Sequence, residues 1–412
     1  MNVFALIILP AILAEVFLHI FADVLNLRAL HEDLPSGFQD VFDEEGYGKS
    51  QKYLRTNTRF GWLTSGFSLA VFLAFWFGRG FPFLDGWMRS LEQGPILTGL
   101  LFIGTLAVVK GLLSLPFKLY GTFVIEERFG FNRTSRRVFF MDMLKATFLG
   151  VVLGVPLIAG ILAFFQFAGE HAWIYCWFAV TLFMLGVTFV APTWIMPLFN
   201  KFTPLEPGEL RSAILSYARS IDFPVENIYV MDGSKRSGKS NAFFTGFGKH
   251  RRIVLFDTLI EQHAVPELVA VLAHETGHFK KKHVLKTLIL GIVQTGVMFY
   301  ILSLFISSQG LFDAFYVGPR SVYAGLVFFA ILYSPLEFVM GLFLKMWSRR
   351  NEREADRFAV ETTRNPRAFA MALKKLSVHN LSNLQPHPFY VFLNYSHPPI
   401  LERIRDINRI SG

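Results

Sequence analysis

Seven stretches of this chain, residues 3–21, 60–77, 96–117, 147–167, 173–196, 285–306 and 322–344, are apolar over the length an α-helix needs to cross about 30 Å of hydrocarbon. A bilayer core offers no water to backbone groups, so such stretches are confined to helices, which satisfy their own N–H and C=O groups. The apolar part is therefore predicted to be an all-α polytopic membrane protein. Composition agrees, since 52% hydrophobic residues, 17% charged residues and a mean hydropathy of +0.41 are too apolar for an ordinary soluble enzyme. The first stretch has no Lys or Arg ahead of it and no small-residue cleavage site, so it reads as a retained span, with a removed signal peptide as the alternative. The single cysteine, Cys176, excludes a disulfide framework and any cysteine-based metal cluster.

Loop charge orients the spans. Arg28, Lys49, Lys52, Arg55 and Arg59 follow span one, and Lys118, Arg128, Arg133, Arg136 and Arg137 follow span three, whereas the loops after spans two, four and six hold only Arg79, Arg89 and Arg320. Basic loops stay cytoplasmic, which places the N-terminus outside and the polar parts 200–282 and 345–412 together inside. The net charge of +9 is thereby used up in topology, and no nucleic-acid partner is expected. Glu15, His19, Lys110, Lys286 and Glu337 lie inside spans, where ionisable groups face protein or a watery cavity. Glu15 and His19 share a helical face, so a second metal pair is an alternative to a polar cavity wall. Lys286 reads as a snorkelling end residue.

The polar segment carries the chemistry. Residues 209–220 and 266–282 read as helices and 227–232 and 252–256 as short strands, with 241–246 extended between them as an edge. Within the second helix, His274, Glu275 and His278 form a His-Glu-x-x-His pattern. Histidines four apart share one helical face and can hold one ion, while Glu275 is placed to take a proton from a metal-bound water. A catalytic zinc needs a third protein ligand. Val284 stands where a third histidine would lie in the metzincin arrangement and Lys281 where its glycine would be, which excludes that class. His283, five beyond His278, is expected to point away from the ligand face as helix-end decoration. Just after span seven, Glu352 and Asp356 lie four apart on one helical face. Glu352 is expected as the third ligand, Asp356 as the carboxylate that orients a ligand histidine, and Glu354 as a solvent or ion-pair residue.

Residues 233–240 (GSKRSGKS) match a phosphate-binding loop letter for letter. That mechanism needs a helix starting at Lys239 and Ser240, and strand-like residues follow instead. A flexible basic loop is expected, with no nucleotide.

Together, 50–60 (SQKYLRTNTRF), 125–132 (IEERFGFN), 197–204 (PLFNKFTP), 240–246 (SNAFFTG), 271–283 (VLAHETGHFKKKH), 348–356 (SRRNEREAD) and 396–399 (SHPP) make the chain resemble the type I CAAX prenyl proteases, integral-membrane zinc metallopeptidases of peptidase family M48. The resemblance spans nearly the whole length. It implies seven transmembrane helices forming a barrel around a large chamber, with a small cytoplasmic α+β peptidase portion and one Zn²⁺ at its cytoplasmic end. It implies His274, His278 and Glu352 as ligands, Glu275 as general base and Asp356 as the carboxylate behind the ligands. Asn241, Ala242, Phe243 and Phe244 would pair with an extended substrate, and His397 would stabilise the oxyanion. Phe243 departs from the tyrosine common in that edge strand. His387 is left as loop.

The chain then divides into a membrane region 1–199, a peptidase segment 200–284, spans six and seven at 285–347, and a C-terminal segment 348–412. The implied activity is endopeptidase cleavage near the C-terminus of prenylated substrates. A quality-control protease acting on unprenylated membrane proteins is the alternative, and a transporter using the cavity is another. Compact loops and a C-terminal RISG without a basic retrieval signal point to a bacterial inner membrane, or to the endoplasmic reticulum membrane in a eukaryote.

Overall fold

The computed structural model describes residues 2–31, 33–223, 225, 227–245 and 252–410. All seven predicted spans are helices, and each is long and apolar enough to cross a membrane. They comprise α1 (Val3–Arg28), α2 (Glu44–Phe77), then after the short α3 (Gly80–Ser90) α4 (Pro95–Tyr120), α5 (Arg136–Phe167) and α6 (Ala172–Val190). α4 continues into a π-helical turn, Gly121–Glu126. The peptidase segment holds β1 (Phe202–Pro204), α7 (Glu209–Ser220), β2 (Asn227–Met231), β3 (Ala242–Thr245), β4 (Arg252–Phe256), α8 (Asp257–Gln262) and α9 (Val265–Lys280). Spans six and seven are α10 (His283–Phe305) and α12 (Val322–Thr363), joined through α11 (Gln309–Ala314), and the chain closes with α13 (Pro366–His379), α14 (Pro388–Asn394) and α15 (Ile400–Ile410).

The membrane helices share one large buried core, at one end. Ala5 and Ile8 at the start of α1, Trp76 at the end of α2, Phe102 early in α4, Leu162 late in α5, Phe299 and Leu302 late in α10 and Phe328 early in α12 form one buried core. Because successive spans alternate direction, these positions all lie on one side, opposite the peptidase segment. Away from that core the helices spread. Residues 107–113 of α4 are exposed in succession, which covers every face of about two helical turns. Helices bare toward both lipid and interior are what a barrel around a chamber requires. Glu337 lines a cavity of about 630 Å³ with Gln294, Thr295 and Tyr333, whose other walls are mainly apolar, among them Ile103, Ile158 and Phe329.

The sheet order is β1-β2-β4-β3, with β2 and β4 parallel and β3 antiparallel to β4 (Phe243 opposite Val254). β1, three residues ending in proline, carries too little alternation to be read from sequence. β3 is an edge strand, as expected, although Gly246 at its far end lies outside the described residues. One core packs Ile253 and Leu255 of β4 against Leu268 and Leu272 of α9 and Ala372 of α13. Another joins Ala270 and Ala273 of α9 to Ala359, Phe369 and Ile407. The peptidase and C-terminal segments, distant in sequence, thus share their interior. α12 bridges both parts: its 42 residues span about 63 Å at 1.5 Å per residue, roughly twice a bilayer's hydrocarbon, so its second half projects into the peptidase body.

Candidate active site

α9 and α12 build the site, and small residues decide how closely they approach. Gly277, between the two histidines, faces α12 where a β-carbon would lie 3.2 Å from the carbonyl oxygen of Ala355 and from Cβ of Phe358. Glycine there lets α12 lie against α9, and Glu352, one turn before Ala355, arrives beside the histidines.

His274 Nε2 and His278 Nε2 are 3.2 Å apart. Glu352 Oε2 is 3.4 Å from His274 Nε2, and Glu352 Oε1 is 3.2 Å from His278 Nε2. Ligand atoms around a tetrahedral zinc with bonds of about 2.0–2.1 Å sit about 3.3 Å apart. Among the described residues this is the one group of three or more His, Cys, Asp or Glu side chains spaced to hold a metal ion. Glu352 is 4% exposed, and its Oε2 has no hydrogen-bond donor. A buried carboxylate oxygen without a donor is costly unless a cation meets it, so the donor set fits zinc.

Behind this group, Asp356 Oδ1 lies 2.8 Å from His274 Nδ1. Arg403, which the sequence reading did not single out, donates to both Asp356 oxygens, Nε to Oδ2 at 2.8 Å and Nη2 to Oδ1 at 2.6 Å. Its Nη1 is also 3.8 Å from Glu352 Oε2. The signal was available, because Arg403 falls on the apolar stripe of α15 with Ile400, Ile404 and Ile407 and is buried there. Burial pulls the His274 imidazolium down, yet the neighbouring Asp356 and Glu352 carboxylates outweigh it and hold its pKa up at about 9. Burial raises the Glu275 carboxyl above the usual carboxylate range.

His397 reaches the same place from the loop before α15. Its Nε2 is 3.3 Å from Glu352 Oε1, and its Nδ1 is 2.9 Å from Ser396 Oγ. Its side chain is 62% exposed, and partial desolvation lowers its pKa below the ordinary imidazole value. Asn241 precedes β3: its carbonyl accepts from the Phe256 N–H at 3.1 Å, and its side chain accepts from the Ala242 N–H at 2.8 Å. Ala242 is buried, Phe244 packs against Phe223, and Phe243 meets Phe256. β3 packs on α9 while its outer edge pairs with no strand among the described residues.

Two expectations need correction. His283 does not point away: the helix breaks at Lys282, whose φ of 58° is left-handed, and the chain returns so that His283 Nδ1 lies 3.1 Å from His278 Nδ1. A spacing of five residues predicts a direction only along one continuous helix. The loop at 233–240 is pinned rather than loose. Arg236 pairs with Asp142 at 2.7 Å, and Lys239 lies 3.0 Å from Glu126, donates to Tyr53 Oη at 2.8 Å and sits over the Phe131 ring. Lys239 is thus committed to the membrane helices, and β3 follows where a phosphate-binding helix would start. His19 rests against Phe338, and no metal-holding group among the described residues includes it or Glu15.

Residues 23–201 match the family described as CAAX prenyl protease N-terminal, five membrane helices, and residues 204–411 match peptidase family M48. The chain is 36% identical over 407 residues to an Arabidopsis thaliana CAAX prenyl protease 1 homolog, covering 95% of each. It is 33% identical to CAAX prenyl protease 1 of Saccharomyces cerevisiae, covering 92% of this chain and 89% of that one. The crystal structure of S. mikatae Ste24p superposes with a TM-score of 0.93 at 31% identity, covering 99% of this chain and all of the other.

Proposed function

Because the chain belongs to peptidase family M48 as a multi-pass membrane metallopeptidase, we propose that it is a zinc endopeptidase that cuts prenylated CAAX-type substrates near their C-terminus. The observation that carries this reading is the set of donor separations of 3.2–3.4 Å among His274, His278 and Glu352, with Glu275 beside them. When bound, zinc supplies Lewis acidity and a water acidic enough, with a pKa of about 7, to give up a proton at neutral pH. Glu275 takes that proton and passes it to the leaving amine, a role suited to a carboxylate whose burial strengthens it as a base. Asp356 accepts from His274 Nδ1–H and fixes the ring so that Nε2 faces the metal, while Arg403 holds Asp356 in place. His397 donates from Nε2 to the carbonyl oxygen as charge develops on it.

The free edge of β3 aligns the peptide as an added strand, from Asn241 through Phe244, so that backbone pairing sets register. The basic loops after spans one and three support a cytoplasmic side for this edge. The names of the relatives, CAAX prenyl protease 1, support the substrate class. A prenyl chain stays in apolar surroundings between the spread helices while its peptide reaches the metal, since each buried methylene contributes about 0.8 kcal/mol. The test is cleavage of a farnesylated and an unmodified CAAX peptide by the wild type and by Glu275→Gln. Cleavage of the farnesylated peptide by the wild type alone is expected. Equal turnover of both peptides would replace this substrate class with unprenylated clients.

A further inference from the structure

His278 presents Nε2 to the site, 3.2 Å from Glu352 Oε1. A ring nitrogen that binds a cation carries no proton, so the neutral His278 ring keeps its proton on Nδ1. The atom facing that proton is His283 Nδ1, at 3.1 Å. His283 Nδ1 must then be the acceptor, which places the His283 proton on Nε2. That nitrogen lies 3.2 Å from Glu354 Oε2, a carboxylate also 3.4 Å from the Arg350 guanidinium. Each proton along the line has one acceptor, and ligation fixes the tautomer of both rings.

We propose that His283 is a positioning residue, which accepts from His278 and donates to Glu354, so that His278 is aimed by a histidine–carboxylate relay as His274 is aimed by Asp356. Three observations support the assignment. His283 is 3% exposed, too buried for helix-end decoration. Its position depends on the left-handed turn at Lys282 between α9 and α10, a conformation unfavourable for a lysine and retained where the surroundings require it. Glu354 stands two residues from Glu352 on α12, and the His283 ring joins its carboxylate to His278.

The relay rests on the metal reading above, and the experiment separates the two. Zinc affinity is measured by chelator competition on purified full-length protein, together with the melting temperature of the metal-stripped form. His283→Leu is expected to weaken zinc binding about 10–100-fold, the range for partners that orient metal ligands, with little change in the metal-stripped melting temperature. His283→Asn, whose side-chain oxygen can take the place of Nδ1 as acceptor, is expected to recover most of the affinity. Glu354→Ala, at a half-exposed position, is expected to give a smaller loss in the same direction. Wild-type affinity in His283→Leu, no rescue by His283→Asn, or a loss matched by collapse of the metal-stripped protein would overturn the relay. A wild type that binds no zinc would instead overturn the metal reading itself.

Discussion

Gly277 of α9 packs on Ala355 of α12 so closely that a β-carbon at 277 would lie 3.0 Å from the Ala355 Cα. The contact fixes the distance between the histidine helix and the helix that brings Glu352. Gly277→Ala is therefore expected to push the helices apart by a few tenths of an ångström. Overpacking of this kind costs about 1–3 kcal/mol. The variant should melt lower and hold less zinc than wild type, measured on the same preparation. Full zinc content would mean that α12 is positioned by other contacts.

Arg403 is predicted to matter as much as a ligand. It is the buried cation between Asp356 and Glu352, and removing one member of such a group leaves uncompensated buried charge at a cost of about 3–5 kcal/mol. Arg403→Met should strongly destabilise the protein and weaken zinc retention, whereas Arg405→Met, next to it on the same helix but exposed, should do neither. Chemical denaturation with metal analysis checks both.

Much of this was legible in sequence, and the remainder divides by physical cause. Spans, strands β2 and β4, helix α7 and the candidate ligands His274, His278 and Glu352 each rest on periodicity or spacing within one element. Arg403, His283 and the Lys239 clamp to Glu126 and Tyr53 depend on where separate elements meet. His283 shows the limit well, because one left-handed residue, Lys282, reversed the direction that helical spacing predicts.

Acid should loosen the peptidase body through His263. It is 8% exposed, with Nδ1 3.1 Å from the Leu259 carbonyl. Burial lowers its pKa, as it does that of the neighbouring His379, while Glu267 opposes the shift and Lys375 adds to it. The unfolded chain therefore binds more protons, so this stabilisation is complete above the unfolded value of about 6.5 and is lost as pH falls through it, at up to about 1.4 kcal/mol per pH unit. Melting temperatures from pH 8 to pH 5.5 should fall for wild type and fall less for His263→Asn. Parallel curves would contradict the assignment.

Under the proposed function, Glu275 does the proton chemistry at a zinc held by His274, His278 and Glu352. The most direct measurement is cleavage and zinc content together in Glu275→Gln, which removes a base but no ligand. About one zinc per chain and no detectable cleavage are expected. Near-normal turnover in that variant, or an active wild type free of zinc, would contradict that proposal.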